Sequence, residues 1–158
     1  MKLLFVCMGN ICRSPSGENV MRHLLEAEGA TTEMVLDSAG TIGMHTGNPP
    51  DARMTKAATA RGIEMRGRAR QVRARDFEEF DLILAMDREN LADLERLADG
   101  PEDLAKIRLF CDFCTEHPHQ EVPDPYYGGE AGFELVLDLL EDGCVEILRQ
   151  FRAGQLAC

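Results

Sequence analysis

Nothing in the sequence is apolar for long enough to cross a membrane. A spanning helix needs about 20 predominantly apolar residues, and no run of that kind is present. The opening Met1–Val6 stretch is too short for a secretory signal, so a cytoplasmic protein without a membrane partner is expected. Basic residues are in short supply, 17 against 28 acidic ones, for a formal net charge of -11. That shortage argues against a nucleic-acid partner, which needs a positive surface field. It also means that any anion site must create its own local positive potential. Internal repeats, low-complexity stretches and long linkers are missing, as is the Gly-Lys-Ser/Thr signature of a nucleotide P-loop.

What is present fits one globular unit over residues 1–158. The apolar fraction of 44 % and charged fraction of 28 % are ordinary for such a unit. There are six cysteines, Cys7, Cys12, Cys111, Cys114, Cys144 and Cys158. Without a secretory context, free, catalytic or redox thiols are favoured over structural disulfides.

Strand and helix patterns alternate along the chain. Leu3–Val6 is a short apolar run of the kind found in a buried strand. Ser14-Pro15 reads as a helix start, with Ser14 as N-cap and Pro15 at the first helical position. Val20, Met21, Leu24 and Leu25 continue that helix and Gly29 ends it. Met34–Leu36, Leu82–Met86 and Ile107–Phe110 read as further strands. Asp51–Arg61 reads as a helix, and Asp87 caps another that carries Leu91, Leu94 and Ala98. A last helix places Phe133, Val136, Leu137, Leu140, Cys144, Ile147, Leu148 and Phe151 on one stripe. The alternation predicts an α/β three-layer sandwich around a four-stranded parallel sheet. Sites in such sheets lie at the carboxyl ends of strands, and Cys7 stands just past the first.

The segment Cys7-Met8-Gly9-Asn10-Ile11-Cys12-Arg13-Ser14-Pro15 links that strand to the first helix. A loop of this length can curl until several backbone N–H groups face one centre. Together with the positive end of the helix, it would then bind a phosphate dianion. Gly9 is expected to supply a positive φ, and Asn10 to tolerate a left-handed backbone while bracing the loop with its amide. The same field favours a thiolate at Cys7, and a hydrogen bond from Ser14 adds to it. A thiolate can attack phosphorus and form a phosphocysteine. Arg13 offers a planar fork that fits two phosphate oxygens, which lysine does not. Alone, cysteine-x5-arginine fits a buried thiol and a surface charge equally well. Gly9, Asn10, Ser14-Pro15 and the preceding strand favour the phosphate site.

This loop resembles the phosphate loop of the low-molecular-weight protein tyrosine phosphatases. The likeness extends to Asp37–Thr41, Gly47–Asp51, Ala69–Gln71, Ala85–Asp87 and Asp124–Gly129. The resemblance implies a flavodoxin-like, phosphotyrosine phosphatase I-like fold and a metal-independent hydrolase without a cofactor. It implies Cys7 as nucleophile, Arg13 as phosphate ligand and Asp124 as general acid and base. Met8, Gly9, Asn10, Ile11, Cys12 and Ser14 would line the phosphate. Phosphotyrosine-containing proteins would be the substrates, with inorganic phosphate as product and inhibitor. Tyr126 and Tyr127, the only tyrosines, would wall the leaving group. An inactive relative that merely captures phosphorylated proteins would not need the complete Cys7, Arg13 and Asp124 set.

The chain departs from the family pattern at Met44, where an aromatic groove wall is usual, and at Gly67, where a histidine is common. Relatives acting on phosphoarginine carry threonine where Ile11 stands, so Ile11 favours phosphotyrosine. Arsenate reductases share the loop but lack Asp-Pro-Tyr-Tyr. In relatives, the pair matching Cys7 and Cys12 forms a reversible disulfide under peroxide. Cys111, Cys114, His117 and His119 have the residue types of a zinc site, but their spacing is short, and a loop lining is expected. Arg66, Arg68, Arg70, Arg73 and Arg75 form a basic run without interleaved aromatics. A solvated face with one or two structural ion pairs is expected there.

Overall fold

The computed structural model describes residues 1–126 and 128–156. Four parallel strands, β1 (Lys2–Cys7), β2 (Val35–Gly40), β3 (Leu82–Ala85) and β4 (Ile107–Leu109), form a sheet in the order β2-β1-β3-β4. The helices are α1 (Arg13–Ala27), α2 (Ala52–Ala60), α3 (Asp76–Glu79), α4 (Arg88–Leu97), α5 (Pro101–Ala105) and α6 (Glu130–Arg152).

Successive strand side chains point to opposite faces, which divides the core in two. Leu3 and Phe5 of β1 and Leu82 and Leu84 of β3 pack with α1, α2 and α6. Leu4, Val6, Ile83 and Ala85 turn the other way, onto Phe77, Phe80 and Leu94. Both faces are therefore covered, as a parallel sheet with apolar strands requires. The α6 stripe from Phe133 to Leu148 is buried as expected, with Phe151 half-buried at its end. Truncating a ring such as Phe5, which lies under α1, would cost about 3–5 kcal/mol.

Two helix starts carry side-chain caps. Asp51 accepts from the N–H groups of Arg53 at 2.8 Å and Met54 at 3.2 Å. Asp87 accepts from the Asn90 N–H at 2.7 Å. Such caps contribute about 1 kcal/mol each.

Several expectations need correction. Ser14 is not a cap: α1 starts at Arg13, and Cys12 occupies the cap position without a side-chain bond. Pro15 is the third helical residue, still within the turn where a missing N–H costs nothing. β2 begins at Val35 and runs to Gly40, beyond its apolar start, because β1 pairs with it as far as Cys7↔Gly40. β4 stops at Leu109, and Phe110–Phe113 form a 3₁₀ turn. That turn, α3 and α5 are each four or five residues long, too short to leave a helical period in the sequence.

Candidate active site

Cys7 ends β1, between β2 and β3, where crossovers depart to opposite faces of the sheet. The chain then curls through Asn10, which has φ 58°, the only positive φ of a described non-glycine residue. The left-handed turn thus falls on Asn10 and not on Gly9. Glycine at position 9 leaves room for the His45 ring, which a Cβ 2.9 Å from its Cδ2 would push aside. Gly40 is likewise a close-approach position, where a Cβ would lie 2.6 Å from the Met8 carbonyl.

The curl brings donors to the Cys7 sulfur. The Asn10 N–H reaches it at 3.3 Å, and Ser14 Oγ lies 3.0 Å away. Asn10 Nδ2 donates to Ser14 Oγ at 2.8 Å, which leaves the serine proton free to point at sulfur or at the Ala39 carbonyl 3.3 Å away. Asn10 is itself held from behind, since its Oδ1 accepts the Arg70 N–H at 3.0 Å. Arg70 in turn bridges Asp37 at 3.0 Å and the buried Asp76 at 3.0 Å. The basic run therefore contributes two structural ion pairs beneath the loop, both made by Arg70.

Arg13 is 3 % exposed. Its Nη1 donates to Asp87 Oδ2 at 2.6 Å and to the Val122 carbonyl at 3.1 Å, and its Nη2 faces Asp124 Oδ2 at 3.8 Å. Burial opposes its charge, but Cys7, Asp87 and Asp124 outweigh burial and hold the guanidinium above its ordinary range. Burial, followed by the charges of Asp51, Cys7 and Asp124, pushes the Cys12 thiol up to about 12. Cys12 is thus a protonated neighbour.

A cleft of about 240 Å³ opens above the sulfur, lined by Cys7, Met8, Gly9, Ile11, Cys12 and Arg13 from the loop. Ile42, Met44 and His45 from the segment after β2, and Asp124 and Tyr126 from the segment before α6, complete the lining. Met44 is 77 % exposed and Tyr126 41 %. The Asp124 carboxylate accepts the Tyr126 N–H at 3.0 Å. The structure therefore gathers Cys7, Arg13 and Asp124, together with the loop residues, Met44 and Tyr126, around one space. Asn10 and Ser14 brace the loop without lining the cleft. Tyr127 lies outside the described residues.

Sequence reasoning missed the Asp87 and Val122 clamps on Arg13, and the wall positions of Ile42 and His45. Asp87 stood within a family signature and was read only as a helix cap. His45 carried no signal apart from its place beside Met44. Elsewhere, His117 Nδ1 pairs with Asp142 Oδ2 at 2.7 Å. Among the described residues no group of three or more histidines, cysteines or acids is placed to hold a metal ion. No described helix is long and apolar enough to cross a membrane.

Known proteins resemble this chain in sequence and fold. A putative low molecular weight protein-tyrosine-phosphatase of Synechocystis is 50 % identical over 148 residues, 94 % of each chain. The Bacillus subtilis low molecular weight protein-tyrosine-phosphatase YfkJ is 40 % identical over 149 residues, again 94 % of each chain. The crystal structure of a protein tyrosine phosphatase from Entamoeba histolytica with Hepes in the active site superposes with a TM-score of 0.95 at 44 % identity, covering 99 % of both chains. The sequence pattern described as low molecular weight phosphotyrosine protein phosphatase matches residues 2–156, and the chain belongs to that family.

Proposed function

We propose that this chain hydrolyses phosphotyrosine monoesters in two steps, through a phosphocysteine on Cys7. The observation that carries the reading is the convergence on one sulfur of the Asn10 N–H at 3.3 Å and Ser14 Oγ at 3.0 Å, beside a buried guanidinium. Donors and a cation around sulfur favour its anion, and the same groups favour an incoming dianion.

In the first step the Cys7 thiolate attacks phosphorus and the bond to the ester oxygen breaks. Asp124, as the carboxylic acid, gives its proton to the departing phenoxide. In the second step the Asp124 carboxylate takes a proton from water. The water oxygen attacks phosphorus, the sulfur–phosphorus bond breaks and inorganic phosphate leaves. Arg13 stabilises the charge spread over the equatorial oxygens in both steps. Its Nη1 is committed to Asp87 and Val122, so Nε and Nη2 form the fork that meets the ester. Tyr126 and Met44 flank the leaving group, and Ile11 adds apolar surface to the cleft lining. No residue is assigned to a metal or an organic cofactor.

The test is turnover of p-nitrophenyl phosphate in the presence of a chelator. Activity is expected to be abolished in Cys7→Ser and inhibited by inorganic phosphate. Full turnover by Cys7→Ser would defeat the mechanism. Comparing kcat/KM for peptides bearing phosphotyrosine, phosphoserine and phosphoarginine fixes the substrate class, with phosphotyrosine expected to lead.

A further inference from the structure

Cys111 and Cys114 take no part in the site above. Cys111 lies within the 3₁₀ turn Phe110–Phe113 and Cys114 caps it. A 3₁₀ turn eclipses side chains at positions i and i+3, so both thiols leave the backbone on one side. The Cys114 N–H donates to the Cys111 carbonyl at 3.1 Å. A turn closed by that bond brings the two Cα atoms within about 7 Å, inside or at the edge of the window a disulfide spans. The Cys114 S–H donates to the Leu139 carbonyl of α6 at 3.4 Å. Cys111 is buried at 7 % exposure and Cys114 is half-buried, so the pair lies at the margin of the core. Cys144 is fully buried, with its sulfur directed at the Gly17 carbonyl at 3.8 Å.

We propose that Cys111 and Cys114 form a dithiol that a hydroperoxide converts reversibly into a disulfide, a second thiol pair separate from the catalytic loop. The Cys111 sulfur, as thiolate, attacks one peroxide oxygen. The O–O bond breaks, water departs with a proton from solvent, and Cys111 becomes a sulfenic acid. The Cys114 sulfur then displaces the hydroxyl, the S–S bond forms, and a second water carries away the thiol proton. Two thiols have lost two electrons and one peroxide has gained them. Turned from the Leu139 carbonyl to Cys111, the single Cys114 S–H holds the Cys111 thiol below its ordinary range against the opposing effect of burial, which suits Cys111 to attack first. The disulfide has no S–H to donate, so oxidation also ends the bond from Cys114 to the Leu139 carbonyl of α6.

The experiment uses the full chain. Protein is treated with hydrogen peroxide, unfolded, alkylated with iodoacetamide and cut with a glutamate-specific protease. Cleavage after Glu102 and Glu116 isolates both cysteines on a peptide spanning 103–116, apart from Cys7, Cys12 and Cys144. The expected result is that peptide without alkyl groups and lighter by two hydrogen atoms, returning to the doubly alkylated form after dithiothreitol. Double alkylation after peroxide, sulfinic acid on either cysteine, or a disulfide to a cysteine outside the peptide would each overturn the proposal. Loss or retention of phosphatase activity plays no part in this readout, so the outcome is independent of the reading of Cys7.

Discussion

The two halves of the cleft are built differently. On the phosphate side every polar side chain is buried and committed: Asn10 to Ser14 and Arg70, Ser14 to Cys7, Arg13 to Asp87 and Val122. On the leaving-group side Met44 stands largely in solvent and Tyr126 is partly exposed, and Asp124, itself partly exposed, accepts the N–H of Tyr126 and faces Arg13 only at 3.8 Å. The segment carrying Asp124 is gripped at its root, where the Asp142 carboxylate takes the N–H groups of Thr115, Glu116 and His117 at 2.9–3.0 Å. The difference teaches which part of the reaction the fold fixes. The charge of the phosphoryl group is common to all substrates, and it meets a preorganised surface whose donors need not rearrange. The group attached to it varies, and it meets side chains that can adapt.

The most severe way to break this contrast is Arg13→Lys, which keeps the charge and removes the fork. A fall in kcat/KM of roughly a thousandfold is expected without loss of the folded state, and a loss below tenfold would mean that the fork is not what holds the ester. Asp124→Asn follows, with kcat for phosphotyrosine expected to drop by about a hundred- to ten-thousandfold. Its quenched reaction should show phosphocysteine by intact mass, because water lacks a base.

Asn10→Ala removes the bracing amide from a left-handed position, at an expected cost of about 1–3 kcal/mol in thermal unfolding. Asn10→Gly keeps the backbone free to turn, so it should recover the part of that loss due to φ and none of the part due to the amide. Tyr126→Ala is expected to raise KM for aryl phosphates about two- to tenfold, on the scale of one aromatic contact, and Met44→Ala less. Equal and large effects at both walls would erase the proposed asymmetry.

The smallest effect is on stability alone. Asp142 has its carboxyl held below the usual range; burial acts against this, but the N–H groups of Thr115 and Glu116 and the His117 ring prevail. A depressed folded value means that the stabilisation is present above the ordinary carboxylate range and disappears as pH falls through the folded value. The melting-temperature gap between the wild type and Asp142→Asn should therefore be widest near neutral pH and close in acid.

Much of the phosphate side was legible because its parts are contiguous. Strand, curl, arginine and Ser14-Pro15 lie within one stretch of chain, and each residue type has a local reason to be there. Details inside the stretch were misassigned where space and backbone trade roles. Gly9 read as a positive-φ residue and Asn10 as tolerant of the left-handed backbone; Asn10 alone takes that turn, and Gly9 makes room for His45. Ser14 read both as a cap and as a partner of the sulfur, and only the second role is found. The clamp on Arg13 was not legible, because Asp87 and the Val122 carbonyl are 74 and 109 residues away and only the sheet brings them near. Asp124 entered through family likeness alone, since an aspartate between two prolines is also an ordinary turn.

Asp87 binds Asn90 with one carboxylate oxygen and Arg13 with the other. Transplanting the Cys7–Ser14 segment onto a foreign scaffold would therefore carry over the sulfur but leave the guanidinium unaimed. A designer would have to import a second strand-to-helix junction, spaced one strand away, before the graft could work. By the same logic, the outward surface of α4 is free to drift over generations, whereas the residue that begins it is tied to chemistry performed elsewhere.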